Sequence, residues 1–142
     1  MNRLVEILEE KGGGVLEIDA DASVLDAVQL TVEKNVGSLL VTVGGEITGI
    51  VTERDYLRRV TLEGRTDAET RVGEIMSSPL VVVTPDTSID ECMAVMTDRR
   101  IRHLPVVEDG RVVGLVSIGD LVKFKSKQQT FEIQYLTNYI TA

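Results

Sequence analysis

Several features that commonly carry chemistry are scarce in this chain of 142 residues. Cysteine occurs once, at Cys92, so no internal disulfide can form, which fits a reducing cytoplasm. Histidine also occurs once, at His103. With no metal-ligand cluster and no Gly-x4-Gly-Lys phosphate loop, the sequence offers an enzyme no catalytic constellation. Basic residues are few: 15 Lys and Arg stand against 23 Asp and Glu, a net charge of −8. A chain so acidic lacks the basic face that phosphate backbones require, which excludes general nucleic-acid binding. No apolar run approaches the roughly 20 residues that cross a bilayer, so no membrane span is expected. Residues 1–10 carry Glu6, Glu9 and Glu10 among their apolar positions and do not read as a secretion signal. The remainder, 43% apolar and 27% charged, has the balance of a globular domain.

What the chain does have is a duplication. A single shift of 65 positions superposes residues 15–60 on a second copy without a gap. Gly49-Ile50-Val51-Thr52-Glu53-Arg54-Asp55 falls on Gly114-Leu115-Val116-Ser117-Ile118-Gly119-Asp120, and Ser23, Leu39, Val41 and Gly45 fall on Ser88, Leu104, Val106 and Gly110. One repeat of about 60 residues is marginal alone, so the two are expected to fold as a pair with pseudo-twofold symmetry and a ligand site between them.

Local signals give each copy the order β-α-β-β-α, an α/β (α+β) fold class. Leu4, Ile7 and Leu8 predict an N-terminal helix that Gly12-Gly13-Gly14 stops. Val15 to Ile18 reads as extended. Ser23 and Asp26 open a helix with the stripe Val24, Ala27, Val28 and Thr31. Ser38–Val43 and Glu46–Val51 form a hairpin around Gly44-Gly45, and a short helix runs from Glu53 to about Leu62. The second copy repeats these signals: extended Leu80–Val83, a helix opened by Ser88 and Glu91, a hairpin around Asp109-Gly110, and a helix from Ile118 to Lys125. Cys92 aligns with Ala27 on the apolar stripe and reads as a core thiol. The expected organisation is residues 1–62 as the first repeat with its N-terminal helix, 63–79 as linker, 80–127 as the second repeat, and 128–142 as a helical tail. In that tail Phe131, Tyr135, Leu136, Tyr139 and Ile140 form an apolar stripe, suited to packing on its own chain or on a partner subunit.

The informative motif is Gly-aliphatic-Val-Thr/Ser-x-x-Asp, which ends both hairpins. Thr52 with Asp55, and Ser117 with Asp120, are good helix caps, and that local role is one reading. The other is recognition. A carboxylate can accept from two adjacent hydroxyls such as a ribose diol, and a helix start beside it offers free N–H groups to a phosphate. Arg99, Arg100, Arg102 and His103 concentrate positive charge in this acidic chain. Arg99 and Arg100 suit a helix C-terminus, whereas Arg102 and His103 suit an anion.

The duplicated pattern, the run Ile101-Arg102-His103-Leu104-Pro105-Val106-Val107, the two Thr/Ser-x-x-Asp endings and the linker Val72-Gly73-Glu74-Ile75-Met76-Ser77-Ser78-Pro79 resemble a tandem pair of cystathionine-β-synthase (CBS) domains, a Bateman module. The resemblance covers roughly residues 3–126. It implies binding of AMP, ADP, ATP or S-adenosylmethionine in clefts between the copies. The Asp would hold the ribose, strand backbone from the other copy would read adenine, and residues before the Leu-Pro-Val strand would face phosphates. One site then draws on Thr52, Arg54, Asp55, Val81, Ile101, Arg102 and His103. The other draws on Ser117, Asp120, Leu16, Val36, Gly37 and Ser38. Only the first gathers cations, so it is expected to take the phosphorylated nucleotide, with Glu53 opposing it if it faces the cleft. The second is expected to be weak, empty, or suited to a less anionic adenosine compound.

The resemblance therefore implies a non-catalytic cytoplasmic sensor that acts through a homodimer on an unknown regulated protein. It needs no catalytic cofactor and contacts neither nucleic acid nor membrane. The competing reading is a ligand-free dimerising scaffold in which Asp55 and Asp120 serve only as caps.

Overall fold

A computed structural model of the protein describes residues 2–12 and 14–128. The aromatic stripe of the expected tail lies outside the described residues. In chain order the elements are α1 (Leu4–Lys11), β1 (Glu17–Asp19), α2 (Val24–Lys34), β2 (Ser38–Val43), β3 (Glu46–Thr52) and α3 (Glu53–Tyr56), which runs into a π-helical turn (Leu57–Thr61). There follow α4 (Val72–Ile75), α5 (Ile89–Arg99), β4 (His103–Glu108), β5 (Arg111–Ser117) and α6 (Ile118–Gln128). The elements group into two compact units: Val15–Val81, and the N-terminal residues joined to those from Val82 onward.

In the unit Val15–Val81, β1 pairs parallel to β2 and β2 antiparallel to β3. The Ser23 hydroxyl accepts from the Asp26 amide at 3.0 Å and so caps α2. Asn35 ends that helix in the left-handed region, at φ 55°. Gly44 and Gly45 turn the hairpin with φ of 59° and 84°, the positive pair that a type I′ turn requires. The core is built from Val24, Ala27, Leu39, Val41, Val51, Tyr56, Val60, Val72 and Ile75.

The other unit uses equivalent residues. Ser88 caps α5 by accepting from the Glu91 amide at 3.0 Å, and Arg100 ends it at φ 55°. Arg99 and Arg100 thus sit at a helix C-terminus, where cations offset the negative end of the dipole. Asp109 and Gly110 turn the β4–β5 hairpin at φ 52° and 77°. Even the β-bulge recurs, between Val41 and Thr42 in one unit and between Val106 and Val107 in the other. Ile89, Cys92, Leu104, Val106, Val116 and Leu121 are buried where the shift of 65 places Val24, Ala27, Leu39, Val41, Val51 and Tyr56. Both units mix helices with a small sheet, the expected fold class.

Two expectations change. The sequence makes Leu80–Val83 a strand, but only Val83 pairs, through one parallel bridge to Val106. Its amide donates to Pro105 O at 3.1 Å and its carbonyl accepts from Val107 N at 2.8 Å. Pro79 and Pro85 supply no amide donors on either side, and the Thr84 amide turns back to the Thr87 hydroxyl at 3.1 Å. This sheet therefore has two strands.

The second change concerns α1, which the sequence groups with the first repeat. Its backbone runs instead to the second: Leu4 N to Thr87 O and Val5 N to Pro85 O, both 3.0 Å, with Arg3 bridged to Ser88. Helix α4 makes the same contacts in the unit Val15–Val81, from Val72 N to Ala22 O at 2.9 Å and Gly73 N to Ala20 O at 2.8 Å, with Arg71 bridged to Ser23. Arg3-Leu4-Val5-Glu6-Ile7-Leu8 is thus the counterpart of Arg71-Val72-Gly73-Glu74-Ile75-Met76, at a shift of 68 rather than 65.

Cys92 is buried, and burial, followed by the charge of Glu91, pushes its thiol up to about 11. Near neutral pH it carries almost no thiolate. Native protein treated with iodoacetamide is expected to stay unlabelled by mass spectrometry, with labelling only in denaturant. Rapid native labelling would show that the α5 face is open.

Candidate functional site

Each unit contains one corner where a hairpin strand runs directly into a helix. At the end of β3, the Thr52 amide donates to Asp55 Oδ2 at 2.9 Å and the Thr52 hydroxyl lies 3.2 Å from the same oxygen. The Asp55 amide returns to the Thr52 hydroxyl at 3.4 Å, which completes a capping box. Asp55 is half-buried, whereas Arg54 and Glu53 are exposed. Ser38 stands opposite Thr52 in the ladder, and Gly37 O accepts from the Glu53 amide at 3.2 Å.

The other corner repeats this geometry. The Ser117 amide donates to Asp120 Oδ2 at 2.9 Å, and the Asp120 amide donates to the Ser117 hydroxyl at 3.1 Å. His103 stands opposite Ser117, and Arg102 O accepts from the Ile118 amide at 2.8 Å. These contacts correct one expectation. The first-turn amides of Glu53, Asp55, Ile118 and Asp120 already have acceptors, so they do not form an open row for phosphate. An anion at these corners finds those four amides already taken.

The corners differ in one neighbour. Lys11, the last residue of α1, places Nζ 2.8 Å from Asp120 Oδ2 and 2.8 Å from Leu115 O. Burial, the largest single influence, disfavours the Asp120 carboxylate, but the Lys11 hydrogen bond, the Ser117 amide and the Lys11 charge together outweigh it. Asp120 therefore titrates below the usual carboxylate range. A pocket beside this pair is lined by Ile7, Glu10, Lys11, Asp120, Lys123 and Phe124. Asp55 makes no salt bridge among the described residues.

Of the expected site residues, Thr52, Arg54, Asp55, Val81, Leu16, Val36, Gly37 and Ser38 lie in the unit Val15–Val81, and Ile101, Arg102, His103, Ser117 and Asp120 in the other. Within their own units, Gly37 and Ser38 sit against the Thr52–Asp55 corner, and Arg102 and His103 against the Ser117–Asp120 corner. Sequence reasoning missed Lys11 at Asp120. The structure shows how it gets there: Leu8 and Met76 occupy matching places over Gly114 and Gly49, and continuing α1 one turn beyond Leu8 reaches Lys11.

The duplicated α+β unit with a Thr/Ser-x-x-Asp corner in each copy defines a class of tandem modules. Residues 14–62 and 72–127 match the CBS domain, and the chain belongs to that family as a CBS pair. It is similar to the mitochondrial CBS domain-containing protein CBSX3 of Arabidopsis thaliana, at 42% identity over 144 residues, covering 95% of this chain and 70% of that one. A solved CBS-domain protein from Burkholderia ambifaria MC40-6 superposes at a TM-score of 0.86 with 46% identity, covering 89% of this chain and 96% of its own. The CBS domain pair of the protein MJ0100, solved in complex with 5′-methylthioadenosine and S-adenosyl-L-methionine, shares the fold at a TM-score of 0.77. Its identity is 22%, and the match covers 89% of this chain and 97% of that one.

Proposed function

We propose that this CBS pair is a non-catalytic sensor of an adenosine compound, AMP, ADP, ATP or S-adenosylmethionine, that reports its ligand state to a protein partner through a homodimer. The observation that carries this reading is the Thr52–Asp55 corner. It fixes a half-buried carboxylate by its own strand end, with the exposed Arg54 guanidinium one residue away. A held carboxylate suits a ribose diol, and a guanidinium suits phosphate. The adenosine ligands of the MJ0100 pair support the choice of ligand class. Val32, Leu57 and Leu62, exposed by 75%, 62% and 81%, give a homodimer apolar surface to cover. A cytoplasmic setting is supported by the single buried thiol.

A second reading has its own observation. The capping box at Thr52–Asp55 is complete without any ligand, as a scaffold that uses both carboxylates only as caps would require.

Calorimetry separates the two. AMP, ATP and S-adenosylmethionine are titrated into wild type, Asp55→Ala and Asp120→Ala. Losing a charge-assisted hydrogen bond worth about 1.5–3 kcal/mol weakens binding roughly ten- to hundred-fold. Asp55→Ala is expected to lose that much affinity for the phosphorylated nucleotides, and Asp120→Ala little. Because Asp55→Ala also removes a cap, 2′-deoxy-AMP serves as the control: it is expected to bind wild type more weakly, with the protein unaltered. Wild type that binds none of the three compounds would establish the scaffold.

A further inference from the structure

We infer that Lys11 determines which of the two corners accepts an adenosine ribose, by occupying the Asp120 carboxylate with its own ammonium. The inference rests on the adenosine reading above. Both contacts that Lys11 makes at this corner are short: 2.8 Å to Asp120 Oδ2 and 2.8 Å to the carbonyl of Leu115 on β5. A diol approaching Asp120 meets a carboxylate already neutralised and partly covered, so the ammonium must leave before the sugar binds well.

Placement of Lys11 is built into the fold. Leu4 and Ile7 are buried, which fixes the axis of α1, and Leu8 packs over Gly114. Lys11 closes that helix, where a cation is favoured by the C-terminal dipole. The neighbouring carboxylate of Glu10 does not compete for it, because Lys127 holds Glu10 and lowers its pKa through a hydrogen bond and its charge. The Lys11 side chain is still 45% exposed, so it has solvent to swing into.

Among the described residues the Asp55 corner has no such occupant. Its counterpart helix, α4, ends at Ile75, and the residue 68 places beyond Lys11 is Pro79, which carries no charge. One corner of the duplicated pair therefore carries an internal cation on its carboxylate, and among the described residues the other does not. That difference arises outside the Thr/Ser-x-x-Asp motif, in a helix that the motif does not include.

The test is calorimetric titration of AMP and adenosine into wild type, Lys11→Met, Lys11→Arg, Asp55→Ala and the double variant Lys11→Met/Asp55→Ala. Wild type is expected to bind one equivalent, which Asp55→Ala removes. Lys11→Met is expected to bind a second equivalent at least ten-fold more tightly than the wild-type Asp120 corner does. That event persists in the double variant and disappears when Asp120→Ala is added. Lys11→Arg, which keeps the charge, leaves the corner closed. Lys11→Gln gives the same reading as Lys11→Met if the apolar side chain disturbs folding. A Lys11→Met protein that still binds one equivalent, or wild type that already fills both corners, overturns the inference and leaves the adenosine reading standing. No binding by any of these proteins overturns both.

Discussion

Leu4→Ala is expected to destabilise the protein by about 2–5 kcal/mol, the usual result of truncating a fully buried leucine. Leu4 has no exposed surface, although it lies only two residues from the start of the described residues and in a helix of only eight residues. Its size as an effect follows from where the side chain goes. The Leu4 amide is tied to Thr87 O, and the helix above it shares a unit with α5, β4 and β5. Urea denaturation measures the loss. Val5→Ala, at a position 37% exposed, should change stability by no more than about 0.5 kcal/mol. Hydrogen exchange then locates the damage: amides of β4 and β5 should lose protection before those of β2 and β3. The opposite order would return α1 to the first repeat.

The second large effect is expected at Gly49. A Cβ there would lie 2.7 Å from Met76 Sδ and 2.9 Å from the carbonyl oxygen of Ser77. The sulfur can rotate away, but Ser77 is pinned to Ile50 by two backbone hydrogen bonds, of 3.1 and 2.9 Å. Gly49→Ala is therefore expected to cost about 1–3 kcal/mol by overpacking, read as a lower thermal midpoint. At the matching Gly114 the close atoms all belong to the flexible Leu8 side chain, which can give way. Gly114→Ala should be milder, below about 1 kcal/mol. Equal losses at the two positions would mean that backbone rigidity does not set the difference. The comparison also explains why both motifs begin with glycine: Leu8 of α1 lies over Gly114, and Met76 and Ser77, just past α4, lie over Gly49.

Signals that act within a few residues were readable from the sequence. Ser23 and Ser88 cap their helices, both hairpins turn where their glycines fall, and Thr52–Asp55 and Ser117–Asp120 close on themselves. What stayed unread depends on partners far away in the chain. Helix α1 matches α4 only at a shift of 68, so the constant shift of 65 that reveals the duplication passes over it. Lys11 and Asp120 are 109 residues apart, and nothing local to either announces the other. The amides at the helix starts looked available because the carbonyls that occupy them, Gly37 O and Arg102 O, come from segments before the preceding strands. Leu80–Val83 has the composition of a strand, but flanking prolines deny it a ladder.

The crossing-over of α1 and α4 also bears on the order in which the protein is made. A ribosome releases Val15–Val81 as an uninterrupted stretch that already contains α4, so this half can mature while synthesis continues. Helix α1 emerges before that stretch yet has nothing to dock on until Thr87, and then Gly114, have been translated. Its greasy residues Leu4, Ile7 and Leu8 thus wait without their hosts while Val15–Val81 is made, and the later unit is finished by a segment that precedes the earlier one.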